Sequence, residues 1–444
     1  MDIDILIVNS PLFRTKIENE NEDSLPPLGL GYVATNLQNN GYKVEFIDAV
    51  AENLTIEEIF DILLKNKPRF IGLNVFATNF NIVRDIVEAC PLPATILLGG
   101  PATRYLYNEI IKWRTHNDVI IVIGDGDLIV SDLLAGTVLQ EPIYQIDSFK
   151  AYLIDTNSAY FPYDISDSPL NRAFFKNEPQ KNVRGLSEVN IITSRGCIYN
   201  CAYCGSARSI NQGNIVRERS QESIINELIN IKNIYCDIDS VRILDDLFLK
   251  NLRNIEIAIE IFSCVNLHWR SMAHVQTFHN VTDDVLLQMK NTGCDELFIG
   301  IESGSPNILR MVNKTSDIDL IITTVTRLLK TGINVKGYFI LGFPGETEQD
   351  FKLTLCLAQT LKNVAAHFKT KFRTSVFQFR PYPGTLLHKK LIKKYGKLPD
   401  IEYKEMGLIL SGRNQFNFSN GNYSNCDEKV LLKYLKLMDD LNID

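Results

Sequence analysis

The sequence predicts an α/β protein made of an N-terminal doubly wound parallel sheet, then a partial (β/α)6 TIM-like barrel and a small C-terminal mixed region. Three observations carry this. Short apolar runs alternate with helical patterns over residues 1–135. The rhythm stops over residues 136–186 and returns from about 187 as six further strand–helix units. No stretch approaches the ~18 successive apolar residues of a membrane span.

Residues 1–135 form the doubly wound part. Ile3–Val8, Lys43–Ile47, Phe70–Val75, Thr95–Leu98 and Val119–Ile123 read as five buried strands. Acids precede the first run, so it is a strand and not a signal peptide. The clearest helix runs from Thr55 to Lys65. Ile56, Ile59, Phe60, Leu63 and Leu64 share one face, Thr55 and Glu58 form a capping box, and Pro68 follows the end. Such sheets hold ligands beyond the C-terminal ends of their strands.

Residues 136–186 are rich in Asp, Ser, Tyr, Phe and Pro and read as a linker, since so long a structureless stretch is unusual inside one domain. Over residues 187–385 the strands are Val189–Thr193, Ser240–Leu244, Leu267–Met272, Glu296–Ile301, Val335–Leu341 and Ser375–Phe379. Thr282 caps a helix that stops at Gly293. Ser305-Pro306 is an N-cap followed by proline at the first helical position, and Thr347 with Asp350 is a second capping pair. Six units are too few for a closed eight-stranded barrel, so an open one is expected. Residues 386–444 form a mainly helical region, with a Lys-rich helix near 386–395 and another near 427–441.

Composition narrows the function. The 444 residues are 45% hydrophobic and 22% charged, which suits a chain with a full core. A net charge of −7 argues against a general nucleic-acid binder. Nine cysteines are too sparse for a secreted disulfide scaffold, and Cys90, Cys236, Cys264, Cys294, Cys356 and Cys426 are scattered. The other three cluster, so a reducing cytoplasmic setting and one metal site are expected.

Those three lie in Arg195-Gly-Cys197-Ile-Tyr-Asn-Cys201-Ala-Tyr203-Cys204-Gly205, directly after a strand. C-x3-C-x2-C spacing lets three thiolates converge on one metal centre from a single loop. A structural zinc usually takes four protein ligands, and no fourth Cys or His stands nearby in the sequence. Three ligands on a four-iron cluster leave one iron open to a substrate. The rival reading is three buried or zinc-binding cysteines.

With an aromatic before its last cysteine, on the loop after the first strand of a β/α series, this motif resembles the radical S-adenosylmethionine (SAM) superfamily. The resemblance covers roughly residues 187–385. It implies a [4Fe–4S] cluster on Cys197, Cys201 and Cys204 that cleaves SAM reductively to a 5′-deoxyadenosyl radical, the cofactors carrying the hard chemistry. It also implies the cofactor contacts. Asp245 and Asp246 follow the second strand, toward the methionyl amine. Glu302, with Ser303 behind it, ends the fourth strand at the ribose hydroxyls. Gly342 ends the fifth on the adenine side, where Tyr203 stacks, and Gly205 closes the loop. Arg310 or Lys314 can pair with the methionyl carboxylate, although a helix-surface charge is more often solvated.

The doubly wound part in front resembles the cobalamin-binding domain, a Rossmann-like fold, of one class of that superfamily. This implies a corrin over residues 9–14, Asn74–Phe80 and Gly99–Tyr105, with Asn74, Gly99, Gly100 and Pro101 as contacts. The D-x-H-x-x-G loop of classical cobalamin domains is missing, and the only histidine before residue 268 is His116. The leading expectation is a cobalamin-dependent C-methyltransferase acting on an unactivated carbon of a small molecule. The alternatives are a radical dehydratase, epimerase or rearrangement enzyme with a vestigial cobalamin domain, and a non-enzymatic iron–sulfur or zinc binding module. A methylthiotransferase is disfavoured: the N-terminus lacks that family's three cysteines and no small RNA-binding domain follows the barrel. A single cluster motif implies an external electron donor such as flavodoxin or ferredoxin; no nucleic acid or membrane partner is expected. Arg380 is a candidate for binding a substrate carboxylate or phosphate. Cys294, His268, His274, His279 and His388 are expected to be packing or surface residues.

Overall fold

A computed structural model describes residues 3–11, 25–138, 141–146, 149–156, 160–210, 216–398 and 421–442. They form two compact units. The first gathers the described residues up to 163 with Asp167–Glu178; the second takes Asp164–Ser166 and the described residues from Pro179 onward.

The first unit is built on strands β1 (Ile5–Asn9), β2 (Val44–Asp48), β3 (Phe70–Asn74), β4 (Thr95–Gly99), β5 (Val119–Ile123), β6 (Tyr144–Ile146) and β7 (Phe149–Asp155), in the order β2-β1-β3-β4-β5-β7-β6. Helices α1 (Leu28–Asn39), α2 (Ile56–Asn66), α3 (Phe80–Glu88), α4 (Thr103–Ile110) and α5 (Val130–Ala135) connect them. Alternate strand residues Leu6, Val8, Ile71, Leu73, Ile96, Leu98, Val119 and Ile121 pack against Ile59, Leu63, Val83 and Ile86 of α2 and α3. The α2 cap is local chemistry: the Glu58 amide donates to Thr55 Oγ1 at 3.2 Å and the Thr55 amide to the Glu58 carboxylate at 2.8 Å. Strand order reverses between β1 and β3, and a ligand crevice opens at such a reversal.

The stretch 136–186, expected as a linker, contributes two strands to the first sheet. β7 pairs parallel to β5, and β6 returns antiparallel along β7 as an edge hairpin. Edge strands are half-exposed and carry no continuous apolar run, which removes the signal of a buried strand.

The second unit holds β9 (Ser187–Ile191), β12 (Ser240–Ile243), β13 (His268–Ala273), β14 (Cys294–Glu302), β15 (Asn334–Leu341) and β16 (Phe372–Gln378), all parallel and in chain order across the sheet. β8 (Gln180–Lys181) adds an antiparallel edge, and β10 (Ser194–Arg195) pairs with β11 (Arg217–Glu218) apart from it. Helices α6 (Gln221–Ile234), α7 (Leu252–Val265), α8 (Asp283–Asn291), α9 (Pro306–Met311), α10 (Ile318–Lys330), α11 (Glu348–His367), α12 (Leu386–Tyr395) and α13 (Glu428–Asp440) complete it. This is the open six-unit half-barrel expected. Val189, Ile191, Val241, Ile243, Leu297, Ile299 and Ile301 share one core with the helices. The intervening residues carry charge: Arg270, 1% exposed, pairs with Glu188 and with Glu296 (3.0 Å), and Arg373 donates twice to Glu296 at 2.8 Å. Removing one partner from such a buried set costs about 3–5 kcal/mol, so the strands are locked in register. α13 covers the β16 edge with Leu431, Leu435 and Met438.

Candidate functional site

The cysteine loop leaves the C-terminal end of β9 and is fastened at both ends. Asp245, just past β12 and 2% exposed, accepts from the Thr193 amide (2.7 Å), the Thr193 hydroxyl (2.6 Å) and the Ser194 hydroxyl (2.7 Å). Asp246 accepts from the Gly196 amide (3.2 Å) and the Ser206 hydroxyl (2.6 Å), bracketing all three cysteines. On the other side the Ala202 amide donates to Val312 O and the Leu387 amide to Ala202 O, both at 2.9 Å. Ala202 shares a small core with Phe343, Phe379, Leu387 and Leu391. Asp245, expected at a ligand, is spent on shaping the loop; Asp246 remains exposed.

The thiols of Cys197, Cys201 and Cys204 are free and half-buried. Backbone amides point at two of the sulfurs, Tyr199 N to Cys197 Sγ at 3.5 Å and Ser206 N to Cys204 Sγ at 3.4 Å. Burial raises all three thiols, Cys204 to about 12, while Lys314 pulls Cys197 and Cys201 back. Among the described residues no three His, Cys, Asp or Glu side chains converge on a single-ion position. A cluster that gives each thiolate its own iron does not need that convergence. Amide donors to sulfur and a nearby ammonium are what a bound thiolate cluster requires, so the loop fits the group.

Glu302 ends β14 at φ +67°, just past a register break between β14 and β15. A non-glycine residue there costs about 1–3 kcal/mol and is held only when its surroundings fix it. The Tyr203 phenol stands beside its carboxylate, and Lys314 Nζ lies 3.3 Å from it with 8% of its side chain exposed. Lys314 is therefore not a solvated helix-surface charge. α9 stops at Met311, and the chain turns Lys314 inward. Arg310 does stay exposed, 2.6 Å from Asn307 Oδ1. Burial and the Glu302 carboxylate keep the Tyr203 phenol protonated, and its ring meets Phe343 edge-on at 5.6 Å.

His274, expected as a packing or surface residue, stands beside the cysteine loop. It follows β13, is 6% exposed and stacks on Tyr199 of the cysteine loop at 4.0 Å. Its Nδ1 accepts from the Gln276 amide at 3.2 Å, and burial with Lys314 nearby lowers its pKa to about 3. The imidazole is neutral with its proton on Nε2. Only its place at a strand's C-terminal end marked it. His268 and His279 are exposed and His388 is half-buried.

The other expected contacts divide. Ser303 is fully buried, its hydroxyl 3.1 Å from Thr354 Oγ1, so it holds the turn. Gly342, at φ +93° with Leu431 3.2 Å from where a Cβ would stand, needs to be glycine. Its amide and that of Phe343 donate to Glu346 Oε2 at 2.7 and 2.9 Å. Glu346 is fully buried with Oε1 unpartnered, and burial raises its pKa to about 8. Gly205 is exposed with open space around it. Arg380 is buried and hydrogen-bonded to Tyr382, and Cys294 is packed in the core.

In the first unit, Asn74 at the end of β3 accepts from the Ser10 amide (2.7 Å) and donates to Asn9 Oδ1 (2.6 Å); Asn9 in turn donates to Asp48 (2.7 Å). Asn74 thus fixes the β1 and β3 ends beside the crevice and has both ends of its amide engaged. Gly100 sits at φ +116°, and a Cβ there would stand 2.7 Å from Val75 O. Gly99 has nothing within 4 Å of its Cβ direction, and Pro101 is exposed. Of the stretch 9–14, residues 12–14 lie outside the described residues.

The family model described as Radical SAM superfamily matches residues 191–358, and that described as B12 binding domain matches residues 19–134. The chain thus carries a radical SAM domain with a B12-binding domain in front of it. It is an enzyme whose cofactors are a [4Fe–4S] cluster, SAM and cobalamin. An uncharacterized methyltransferase of Pyrococcus horikoshii is 29% identical over 371 residues, covering 82% of this chain and 77% of that one. The fold matches the cobalamin-dependent SAM radical enzyme OxsB (TM-score 0.66, 16% identity, 95% of this chain). This chain spans only 65% of the length of OxsB. It also matches the radical SAM methyltransferase TsrM from Kitasatospora setae (TM-score 0.62, 14% identity, 89% of this chain and 75% of that one). Among the described residues no helix is long and apolar enough to cross a membrane.

Proposed function

We propose that the protein transfers a methyl group to an unactivated carbon of a small molecule, with Cys197, Cys201 and Cys204 as the cluster ligands. The observation that carries the site is the buried Glu302–Lys314 pair beside the cysteine loop. Bound there, the cluster supplies the electron that cleaves SAM, and cobalamin carries the methyl group.

The chain's own residues hold and orient. Lys314 offers a desolvated ammonium for the methionyl carboxylate, worth more there than on a solvated surface. Glu302 offers carboxylate oxygens to ribose hydroxyls, with the Tyr203 phenol beside it. The rings of Tyr203 and Phe343 and the turn at Gly342 present an apolar edge to adenine. Asp245 and Asp246 hold the loop so the sulfurs need not reorganise. In the first unit, the strand ends fixed by Asn74 and the bare backbone at Gly99 and Gly100 offer a flat approach to a corrin, with Pro101 at the rim.

The test is anaerobic reconstitution with SAM and candidate substrates, following 5′-deoxyadenosine and methylated product. Deoxyadenosine with a rearranged, unmethylated product would refute methyl transfer while leaving the cluster assignment intact.

A further inference from the structure

We infer that α12 is the docking face for the electron donor, an acidic one-electron carrier protein of the flavodoxin type. The inference rests on the cluster assignment above, because it concerns how that cluster is reduced.

Electron tunnelling falls off exponentially with distance, so a protein donor must dock on surface close to the cluster. α12 is tied directly to the cysteine loop. The Leu387 amide donates to the carbonyl of Ala202, a residue lying between Cys201 and Cys204, and Leu387 and Leu391 pack in one core with Ala202. The rest of α12 carries Lys389, Lys390, Lys393 and Lys394, all exposed, with Lys389 and Lys393 opposite the two leucines. Residues 386–398 contain no Asp or Glu, and neither do residues 194–210 of the cysteine loop, which adds the exposed Arg208. These acid-free segments, with the exposed Asp246 bonded to the loop as the acid beside them, belong to a chain with 53 acidic residues and a net charge of −7. A lysine row on a helix is often only a solvated face. Here its buried side is bonded to the loop that holds the redox centre, and its exposed side has the sign that attracts an acidic donor. The overall negative charge makes a nucleic acid the poorer occupant.

The step balances simply. One electron leaves the carrier, which is oxidised by one electron, and enters the cluster, which is reduced by one; no bond forms or breaks.

The test compares the reconstituted wild type with K389E/K390E/K393E/K394E. Stopped-flow absorbance follows oxidation of flavodoxin hydroquinone, with photoreduced deazaflavin as a small donor that needs no docking face. Charge reversal should slow reduction by flavodoxin about tenfold or more at low salt, reverse the sign of its dependence on NaCl, and leave reduction by deazaflavin unchanged. Titration of oxidised flavodoxin onto cluster-free protein gives a reading independent of the cluster and should show weaker binding by the variant. Equal flavodoxin rates, equal flavodoxin binding, or wild type that binds a single-stranded RNA oligomer more tightly than flavodoxin would each overturn the inference. Failure of wild type to take up a cluster, with flavodoxin binding intact and lysine-dependent, would count against the cluster assignment instead.

Discussion

Replacing Asp245 by alanine removes the fastening at the entry to the cysteine loop. The carboxylate accepts three bonds of 2.6–2.7 Å from Thr193 and Ser194 at a site 2% exposed. Each bond to a charged acceptor contributes about 1.5–3 kcal/mol, and the donors left behind are buried. Burial of the carboxylate works against this and holds its pKa above the usual carboxylate range despite those bonds. The two hydroxyls can also rotate to new partners. The net loss should be about 3–5 kcal/mol. Asparagine has the same shape: its oxygen keeps the Thr193 amide, and its NH2 can donate to the two hydroxyls. Asp245→Asn should therefore cost only about 1 kcal/mol. Urea denaturation of cluster-free protein measures the stability, and iron per chain after anaerobic reconstitution measures the loop. Asp245→Ala should fall below Asp245→Asn on both scales. Wild-type stability and full iron loading in the alanine variant would refute the fastening role.

Lys314→Met should weaken SAM binding by about 10–100-fold, because Glu302 is left without its cation, whereas Lys314→Arg should recover most of it; equilibrium dialysis with labelled SAM separates the two. Glu346 should make stability fall as pH rises. Its folded pKa of about 8 lies above the ordinary glutamate value of 4.5, so its favourable contribution is complete below 4.5 and is lost as pH climbs from there through 8. Glu346→Gln keeps an acceptor for Gly342 and Phe343 and should flatten that slope by a few kcal/mol (~3–5) between pH 5 and 9, read from urea midpoints. Gly100→Ala should destabilise the first unit by about 1–3 kcal/mol and lower the corrin retained after gel filtration, because its Cβ meets Val75 O and its φ is +116°. Gly99→Ala, with open space at its Cβ, should leave stability unchanged and lower only the corrin retained.

What could be read from the sequence was local. The α2 capping box, the Ser305-Pro306 start of α9 and the Thr347–Asp350 start of α11 are all present, because each depends on residues three apart. The parallel strands stood out because both their faces are buried. The β6–β7 hairpin did not, since an edge pair needs no continuous apolar run. At the site, the strand ends were legible but the direction of side chains was not. Asp245, Ser303 and Asn74 sit where ligands gather, yet their polar atoms are taken up by Thr193, Thr354 and Ser10. Lys314 was legible only as one of two candidates, and His274 only as a packing or surface residue, for the converse reason. Their importance comes from burial beside Glu302 and Tyr199, residues distant in the chain or on another element.

The account stands on a cluster at Cys197, Cys201 and Cys204 whose open iron takes SAM. Its most direct measurement is electron paramagnetic resonance of the anaerobically reconstituted, reduced protein with and without SAM, together with deoxyadenosine production. Wild type should show a reduced [4Fe–4S] signal that changes when SAM is added, and should release deoxyadenosine; Cys197→Ala, Cys201→Ala and Cys204→Ala should each lose both. A cluster signal indifferent to SAM, or one that survives loss of any of the three thiols, would contradict it.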